Sequence, residues 1–436
     1  MQAPKLSTHF ADRKPSAIRT AQIEFMKRDD DVDAINTAIG NVSLPMHPAM
    51  RSRMAALGAS DSPFAEGVVK YSATVGIDET CAAATNIIAS SGLSTDGLFT
   101  QITDGGSAAM ELLIVGVCGP AGSEEKPLLL IDAAYTNYMA LAERTGRKTV
   151  SVQRTLGADG KFSLPDIAKI EDTIKKYDPG ALVVIPYDNP TGHYYEHDAM
   201  VELARLCVKY NLWMASDEAY RELYYSRGTA SSIWRISEEE VPGITGRRIS
   251  IETASKVWNA CGLRIGALVT DNESFHTKSV AEYTANLCTN VIGQYIFGAL
   301  AHESHDDLKK WYDRQRAYYK ELLSNVYNGL KEAVPGLIVS SPDASIYSVV
   351  EVRDVVKPGF NAQDFVLYCS RKGRVEIDGK SYTLLVSPMA GFYQVAEGEA
   401  NPGLTQMRIA YVDTPDRMAL VPRLFASLLK SYEQNR

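Results

Sequence analysis

The sequence predicts an α/β protein: a large domain with a mainly parallel sheet sandwiched by helices, and a smaller α+β domain. Three observations lead there. From about residue 98, short apolar runs alternate with amphipathic stretches. Those runs are continuously apolar, as strands are when helices cover both faces of a parallel sheet. After a long charged helix near 302–333, the pattern changes to mixed strands and helices.

In chain order, Pro15-Ser16-Ala17-Ile18 opens a helix with Ile18, Ala21, Ile23 and Met26 as a loose apolar face. Residues 34–41 read as a short strand ending at Gly40, which is either a turn or a point of close backbone approach to a ligand. A helix over 49–57 follows, then an irregular stretch over 69–76 containing Tyr71, and a helix from Asp78. Residues 98–102 form a strand, Asp104-Gly105-Gly106-Ser107 a tight loop, and 108–117 a helix with Met110, Leu113, Ile114 and Val117 on one face. Further strands are expected at 128–131, 149–152, 181–186, 212–215, 248–251 and 265–269. Between two of them, Met200, Leu203, Ala204, Cys207 and Val208 make a helical stripe. Beyond residue 333, strands near 337–340, 345–352, 375–377, 383–386 and 407–412 alternate with helices near 362–369 and 415–432.

Composition narrows the function classes. A chain of 436 residues suits two or three domains. Its net charge of −8, without a cluster of Lys and Arg, speaks against a nucleic-acid or membrane partner. The six cysteines form no Cys-x-x-Cys pair and the seven histidines have no ligand spacing, so neither a disulfide framework nor a metal site is expected. No run approaches the apolar length of a membrane span and the first residues carry no apolar signal core, so a cytoplasmic location is the expectation.

Ligands of parallel sheets bind beyond the carboxyl ends of the strands, so those ends carry the functional argument. The strand at 98–102 leads into Gly105, Gly106 and Ser107 at a helix N-terminus, which favours a phosphate. The next strand ends near Tyr135, another at Asp188-Asn189-Pro190-Thr191-Gly192, another at Asp217-Glu218-Ala219-Tyr220. The strand at 248–251 runs into Thr253, Ser255 and Lys256, with Arg264 eight positions after the lysine. A lysine in a mostly apolar pocket has its charged form disfavoured and its amine available as a nucleophile. Hydroxyls and a guanidinium beside it suit a phosphate. Amine plus phosphate site suggests a phosphorylated aldehyde, and pyridoxal 5'-phosphate fits. Asp217 would then hold its pyridine nitrogen protonated, Asn189 and Tyr220 would donate to its phenolate oxygen, and Tyr135 would stack on its ring.

These motifs, with Ala38-Ile39-Gly40-Asn41, Lys70-Tyr71 and Arg408, resemble those of the class I/II aminotransferases, the fold type I pyridoxal phosphate enzymes, and they run in that family's order from about residue 35 to 410. The resemblance implies amino-group exchange between an L-amino acid and a 2-oxo acid by a ping-pong route. It makes Lys256 the residue of the internal aldimine and the proton shuttle. Gly105, Gly106, Ser107, Thr253, Ser255 and Arg264 would surround the phosphate. Tyr71 would reach the phosphate of a neighbouring subunit, giving a homodimer with shared sites. Arg408, Asn189 and the backbone at Gly40 would hold the substrate α-carboxylate. Residues 1–48 would pack with a small domain over 301–436, against a large domain over 49–300. A C–S lyase or decarboxylase of the same fold is the runner-up, and a non-enzymatic regulator on such a domain is the reading from another class. The sequence departs from the family in Asp132-Ala133-Ala134-Tyr135, where a proline is usual, and in opening its phosphate loop with Gly105. Asn290 and Gln294 are the residues expected near the substrate side chain, and no second arginine for a dicarboxylic substrate stands out.

Overall fold

The computed structural model describes residues 4–164, 166–226 and 228–436. Its large sheet has seven strands in the order Phe99–Thr103, Gly266–Thr270, Arg248–Thr253, Trp213–Asp217, Ala181–Val184, Leu128–Asp132 and Thr149–Gln153. Neighbours run parallel, except that Gly266–Thr270 is antiparallel to both of its partners. The expected mainly parallel α/β sheet is therefore present. Leu128–Asp132 and Ala181–Val184 are buried along their whole length, because helices cover both faces. Helix Gly105–Val117 turns Met110, Leu113, Ile114 and Val117 inward, and helix His197–Lys209 does the same with Met200, Leu203, Ala204 and Cys207. Those are the stripes legible in the sequence.

Helix His305–Ala333 leads to two smaller sheets. One is antiparallel, in the order Ser387–Pro388, Gln406–Ala410, Tyr347–Glu351 and Ile338–Val339. The other pairs Asp33–Asn36 in parallel with Lys380–Leu385, which pairs antiparallel with Val375–Ile377. An N-terminal strand thus completes a sheet of C-terminal residues. Helix Ala17–Phe25 precedes that strand, and its first turn is closed by Ser16, whose hydroxyl accepts from the Arg19 N–H.

Three elements differ from expectation. Of residues 34–41 only the first part is strand. Its pairing ends at Asn36 opposite Leu385, whose carbonyl takes the Thr37 N–H at 2.9 Å, while the Thr37 carbonyl takes the Ala410 N–H at 2.8 Å, so the chain leaves this ladder there. Residues 104–107 are not a free loop: helical bonding begins at Gly105, which adopts a φ of 74° that glycine tolerates without strain. The C-terminal helix comes as Pro415–Met418 and Val421–Asn435, because Pro422 has no N–H to continue a ladder.

One backbone contact ties the sheet to the loops above it. A Cβ on Gly266 would lie 2.5 Å from the Gly105 carbonyl carbon and 2.6 Å from the Gly106 nitrogen. Backbone atoms cannot swing away as a side chain does. Gly266→Ala is expected to destabilise the protein by about 1–3 kcal/mol, seen as a lower midpoint of urea or thermal unfolding. Gly262→Ala, with open space around it, should leave the midpoint where it is.

Candidate active site

The carboxyl ends of the parallel strands, with the loops that follow them, enclose a cavity of about 740 Å³. Its wall contains Gly40, Gly106, Ser107, Tyr135, Asn189, Asp217, Tyr220, Thr253, Ser255, Lys256 and Arg264. Gly105 and Arg408 stand behind that wall, against Arg264 and Asn189 respectively. Tyr71 lies apart from the cavity, 79% exposed.

Strand Arg248–Thr253 delivers Lys256 through an irregular but well-tied segment. The Ala254 N–H donates to the Ile265 carbonyl at 3.0 Å and the Asn259 N–H to the Lys256 carbonyl at 3.2 Å. Val257 and Trp258 are buried, and the Trp311 indole donates to the Val257 carbonyl at 2.8 Å. The lysine Nζ crosses to donate to the Gly40 carbonyl. A side chain at residue 40 would collide with both that Nζ and the Tyr347 hydroxyl. Gly40 therefore leaves room for these two side chains.

Asp217 ends its strand one residue before the chain turns. Its Oδ2 accepts from the Tyr138 hydroxyl at 2.5 Å and its Oδ1 from the Ala219 N–H at 3.1 Å. Burial pushes its carboxyl above the usual range, and the Tyr138 hydrogen bond pulls it back down. No cation forms an ion pair with it among the described residues. A half-buried carboxylate in that state suits a protonated ring nitrogen. The Tyr135 ring stands at 89° to that of Tyr138, with centroids 5.5 Å apart, and presents a flat apolar surface to the same space.

Opposite the acid is a set of groups suited to a phosphate. Gly106 and Ser107 lie in the first turn of helix Gly105–Val117. Thr253 Oγ1 is 2.8 Å from Ser255 Oγ and accepts from the Ser255 N–H at 3.1 Å. Arg264, at φ 54°, donates from Nη1 to the Cys261 carbonyl at 3.0 Å and has no carboxylate partner among the described residues. A Cβ on Gly105 would lie 2.3 Å from Arg264 Nη2. Gly105 thus makes room for the guanidinium and does not itself face the cavity.

A chain of polar contacts closes the remaining side. Asn189 Nδ2 donates to the Tyr220 hydroxyl at 3.2 Å, and the Tyr220 and Tyr347 hydroxyls are 3.0 Å apart. Burial raises the Tyr220 phenol well above its ordinary pKa, so it acts as a neutral hydrogen-bonding group. Arg408 donates to Asn189 Oδ1 and to the Ala38 carbonyl, each at 2.8 Å, and its Nε has no partner among the described residues. The guanidinium is buried beside the Tyr347 ring, 4.5 Å from its centroid.

Some residues were missed by sequence reasoning. Tyr138 lies three positions after Tyr135 and on the same side of a helix, a spacing that was available. Tyr347 and Arg154 carried no local signal. Arg154 is fully buried, paired with Asp188 at 2.6 Å, and donates to the Ala133 carbonyl at 3.1 Å, so it ties the Tyr135 loop to the Asn189 loop. Asn290 and Gln294 are engaged with their own chain in this structure. Asn290 caps a helix by accepting from the Gly293 N–H, and the buried Gln294 accepts from the Ile77 N–H at 2.8 Å and donates to the Thr289 carbonyl at 2.8 Å. Neither lines the cavity.

Comparison with known proteins agrees with this geometry. A family profile described as "Aminotransferase class I and II" matches residues 48–379. The aspartate/prephenate aminotransferase of Thermus thermophilus is 27% identical over 359 residues, covering 80% of this chain and 86% of that protein. The aspartate aminotransferase of Sulfolobus acidocaldarius is 25% identical over 366 residues, covering 82% and 84%. Among solved structures, the Thermus thermophilus aspartate aminotransferase with maleate superposes with a TM-score of 0.78 at 20% identity, over 98% of this chain and 100% of that one. The alanine aminotransferase from Pyrococcus furiosus does so with a TM-score of 0.78 at 21% identity, over 98% and 100%. The profile spans about three quarters of the sequence and includes every strand of the large sheet, so the chain belongs to the class I and II aminotransferase family, whose enzymes move an amino group between an amino acid and a 2-oxo acid.

Proposed function

We propose that the chain uses pyridoxal 5'-phosphate in this cavity and transfers amino groups as a homodimer. The observation that carries the reading is the shared cavity: Lys256, the carboxylate of Asp217 and the phosphate-suited groups of Gly106, Ser107, Thr253, Ser255 and Arg264 all line it. When bound, the cofactor supplies an aldehyde and an electron-withdrawing ring. Lys256 would be the amine for the aldehyde, and its Nζ would be the base for the proton on the substrate Cα. Asp217, held by Tyr138, would keep a proton on the ring nitrogen. Asn189 and Tyr220 would serve the phenolate oxygen, and Tyr135 would offer its ring for stacking. Ser107, Thr253, Ser255 and Arg264, with the N–H groups at Gly106, would hold the phosphate. Arg408 and Asn189, with the backbone at Gly40, orient the substrate α-carboxylate.

The small unit is assigned residues 1–48 with 301–436, the large unit 49–300. Support comes from the pairing of Asp33–Asn36 with Lys380–Leu385. Closure of the small unit over the cavity would exclude water from the reacting atoms. The dimer is supported by two exposed apolar segments that meet. Val68, Val69 and Tyr71 lie in one and Leu287 in the other, and the Thr74 hydroxyl donates to the Leu287 carbonyl at 2.8 Å. In that dimer Tyr71 would reach the partner's phosphate. A cytoplasmic location is part of the reading: the six cysteines are free, and no helix among the described residues is long and apolar enough to cross a membrane.

Absorbance tests the reading. Protein loaded with the cofactor should absorb in the visible, change spectrum when amino acids are added, and recover with 2-oxo acids. Protein that stays colourless in excess cofactor would sink the proposal, and release of ammonia and thiol without the half-reaction would select a lyase. Lys256→Ala should lower turnover by roughly a thousand-fold or more. Tyr138→Phe removes a hydrogen bond to the Asp217 carboxylate and should lower kcat by about 10- to 100-fold, with the protein still folded by circular dichroism.

A further inference from the structure

The hydrogen bonds around Tyr220 fix where its proton points. Tyr220 lines the cavity, and Tyr347 stands behind it in strand Tyr347–Glu351 of the C-terminal sheet. Both rings are buried and meet edge to face, at 78° with centroids 5.7 Å apart. Their hydroxyls are 3.0 Å apart, and that of Tyr347 has no other hydrogen-bond partner among the described residues. A guanidinium has only donors, so the Asn189 oxygen faces Arg408 and the Asn189 Nδ2 faces Tyr220. Tyr220 therefore accepts one hydrogen bond already. One further lone pair and its own proton are left to it. If it gave that proton to Tyr347, the Tyr347 proton would lack an acceptor in a buried site, and none would remain for a ligand in the cavity. With Tyr347 as the donor, both hydroxyls are satisfied and the Tyr220 proton is free to point into the cavity.

We propose that Tyr347 is a positioning residue: its hydroxyl donates to the Tyr220 oxygen and so commits the Tyr220 proton to the phenolate oxygen of the cofactor. The inference rests on the pyridoxal phosphate reading and deepens it. A hydroxyl that accepts two hydrogen bonds is polarised by them and donates its own proton more strongly. Gly40 leaves room for the Tyr347 hydroxyl, and the Arg408 guanidinium lies against the Tyr347 ring, 4.5 Å from its centroid. Tyr347 pairs with Ala410 in the C-terminal sheet, whereas Tyr220 follows a strand of the large sheet. The direction of the Tyr220 proton thus depends on how these two parts of the chain seat against each other.

The test follows the visible absorbance of the cofactor-loaded protein against pH. A proton is shared between the Lys256 nitrogen and the phenolate oxygen, and the colour changes as that proton leaves. A donor to the phenolate oxygen stabilises its charge most once the proton has gone, so it lowers the midpoint, and weakening the donor raises it. Tyr220→Phe should raise the midpoint by roughly one pH unit or more. Tyr347→Phe, which keeps a ring against Arg408, should raise it by about 0.3 pH unit, and should add nothing in the Tyr220→Phe background. Circular dichroism should be the same in all three variants. A midpoint that Tyr347→Phe leaves unchanged makes Tyr347 a core ring only, and one that it lowers makes Tyr347 the acceptor; either overturns the assignment. So does a rise that persists in the Tyr220→Phe background. In each of these cases a shift in Tyr220→Phe leaves the reading of Tyr220 at the cofactor in place, whereas no shift in Tyr220→Phe overturns both.

Discussion

The buried guanidinium of Arg408 joins three distant stretches of chain. Its own strand belongs to the C-terminal antiparallel sheet, its Nη1 reaches Asn189 beside the large sheet, and its Nη2 reaches Ala38 of the N-terminal segment. The rings of Tyr347 and Phe392 lie 4.5 and 5.2 Å from it, measured to their centroids. Aromatic faces and two neutral acceptors offset part of the cost of removing a cation from water, which is several kcal/mol for an unpaired ion. On the proposed reading, a substrate carboxylate supplies the missing negative charge. On that reading the fold carries an unfavourable charge that substrate binding would relieve.

The same contrast separates the wall of the cavity from what stands behind it. Behind the wall, Arg408 apart, the buried arginines are paired: Arg154 with Asp188 at 2.6 Å and Arg221 with Glu252 at 2.5 Å. In the wall, Asp217, Lys256, Arg264 and Arg19 have no ion-pair partner among the described residues. Breaking a pair of the first kind would leave an uncompensated charge in the core, at about 3–5 kcal/mol. Charges of the second kind remain open to a ligand. The paired charges also set geometry, since Arg154 binds the carbonyl of Ala133, two residues before Tyr135, and the carboxylate of Asp188, one residue before Asn189.

Close packing of glycine transmits the sheet's position to the phosphate-suited groups. Gly266 lets strand Gly266–Thr270 press against the backbone of Gly105 and Gly106, while Gly105 leaves space for the Arg264 guanidinium. Gly40 does the same on the far side, for Lys256 and Tyr347. Each of these close approaches brings a polar group or a backbone N–H to the cavity, where a Cβ would hold it off.

The sequence by itself determined the sheet and most of the site. Continuous apolar runs make strands that helices must cover, and the residues just past such strands, Tyr135, Asn189, Asp217 and Lys256, have one edge on which to gather. That logic is local in the chain and general to parallel sheets. Where a segment's partner lies far away, local pattern fails. Residues 37–41 looked like strand, but the chain leaves its ladder after Asn36, opposite Leu385. Tyr347 meets Tyr220 only because the C-terminal sheet packs against the large one, and Gln294 is engaged with its own chain because Ile77 needs an acceptor. Arg19 is an ordinary helix-surface arginine by sequence. Only the tertiary structure set it beside the cavity, because the strand that follows its helix pairs with Lys380–Leu385, and that pairing is written in no single stretch of residues.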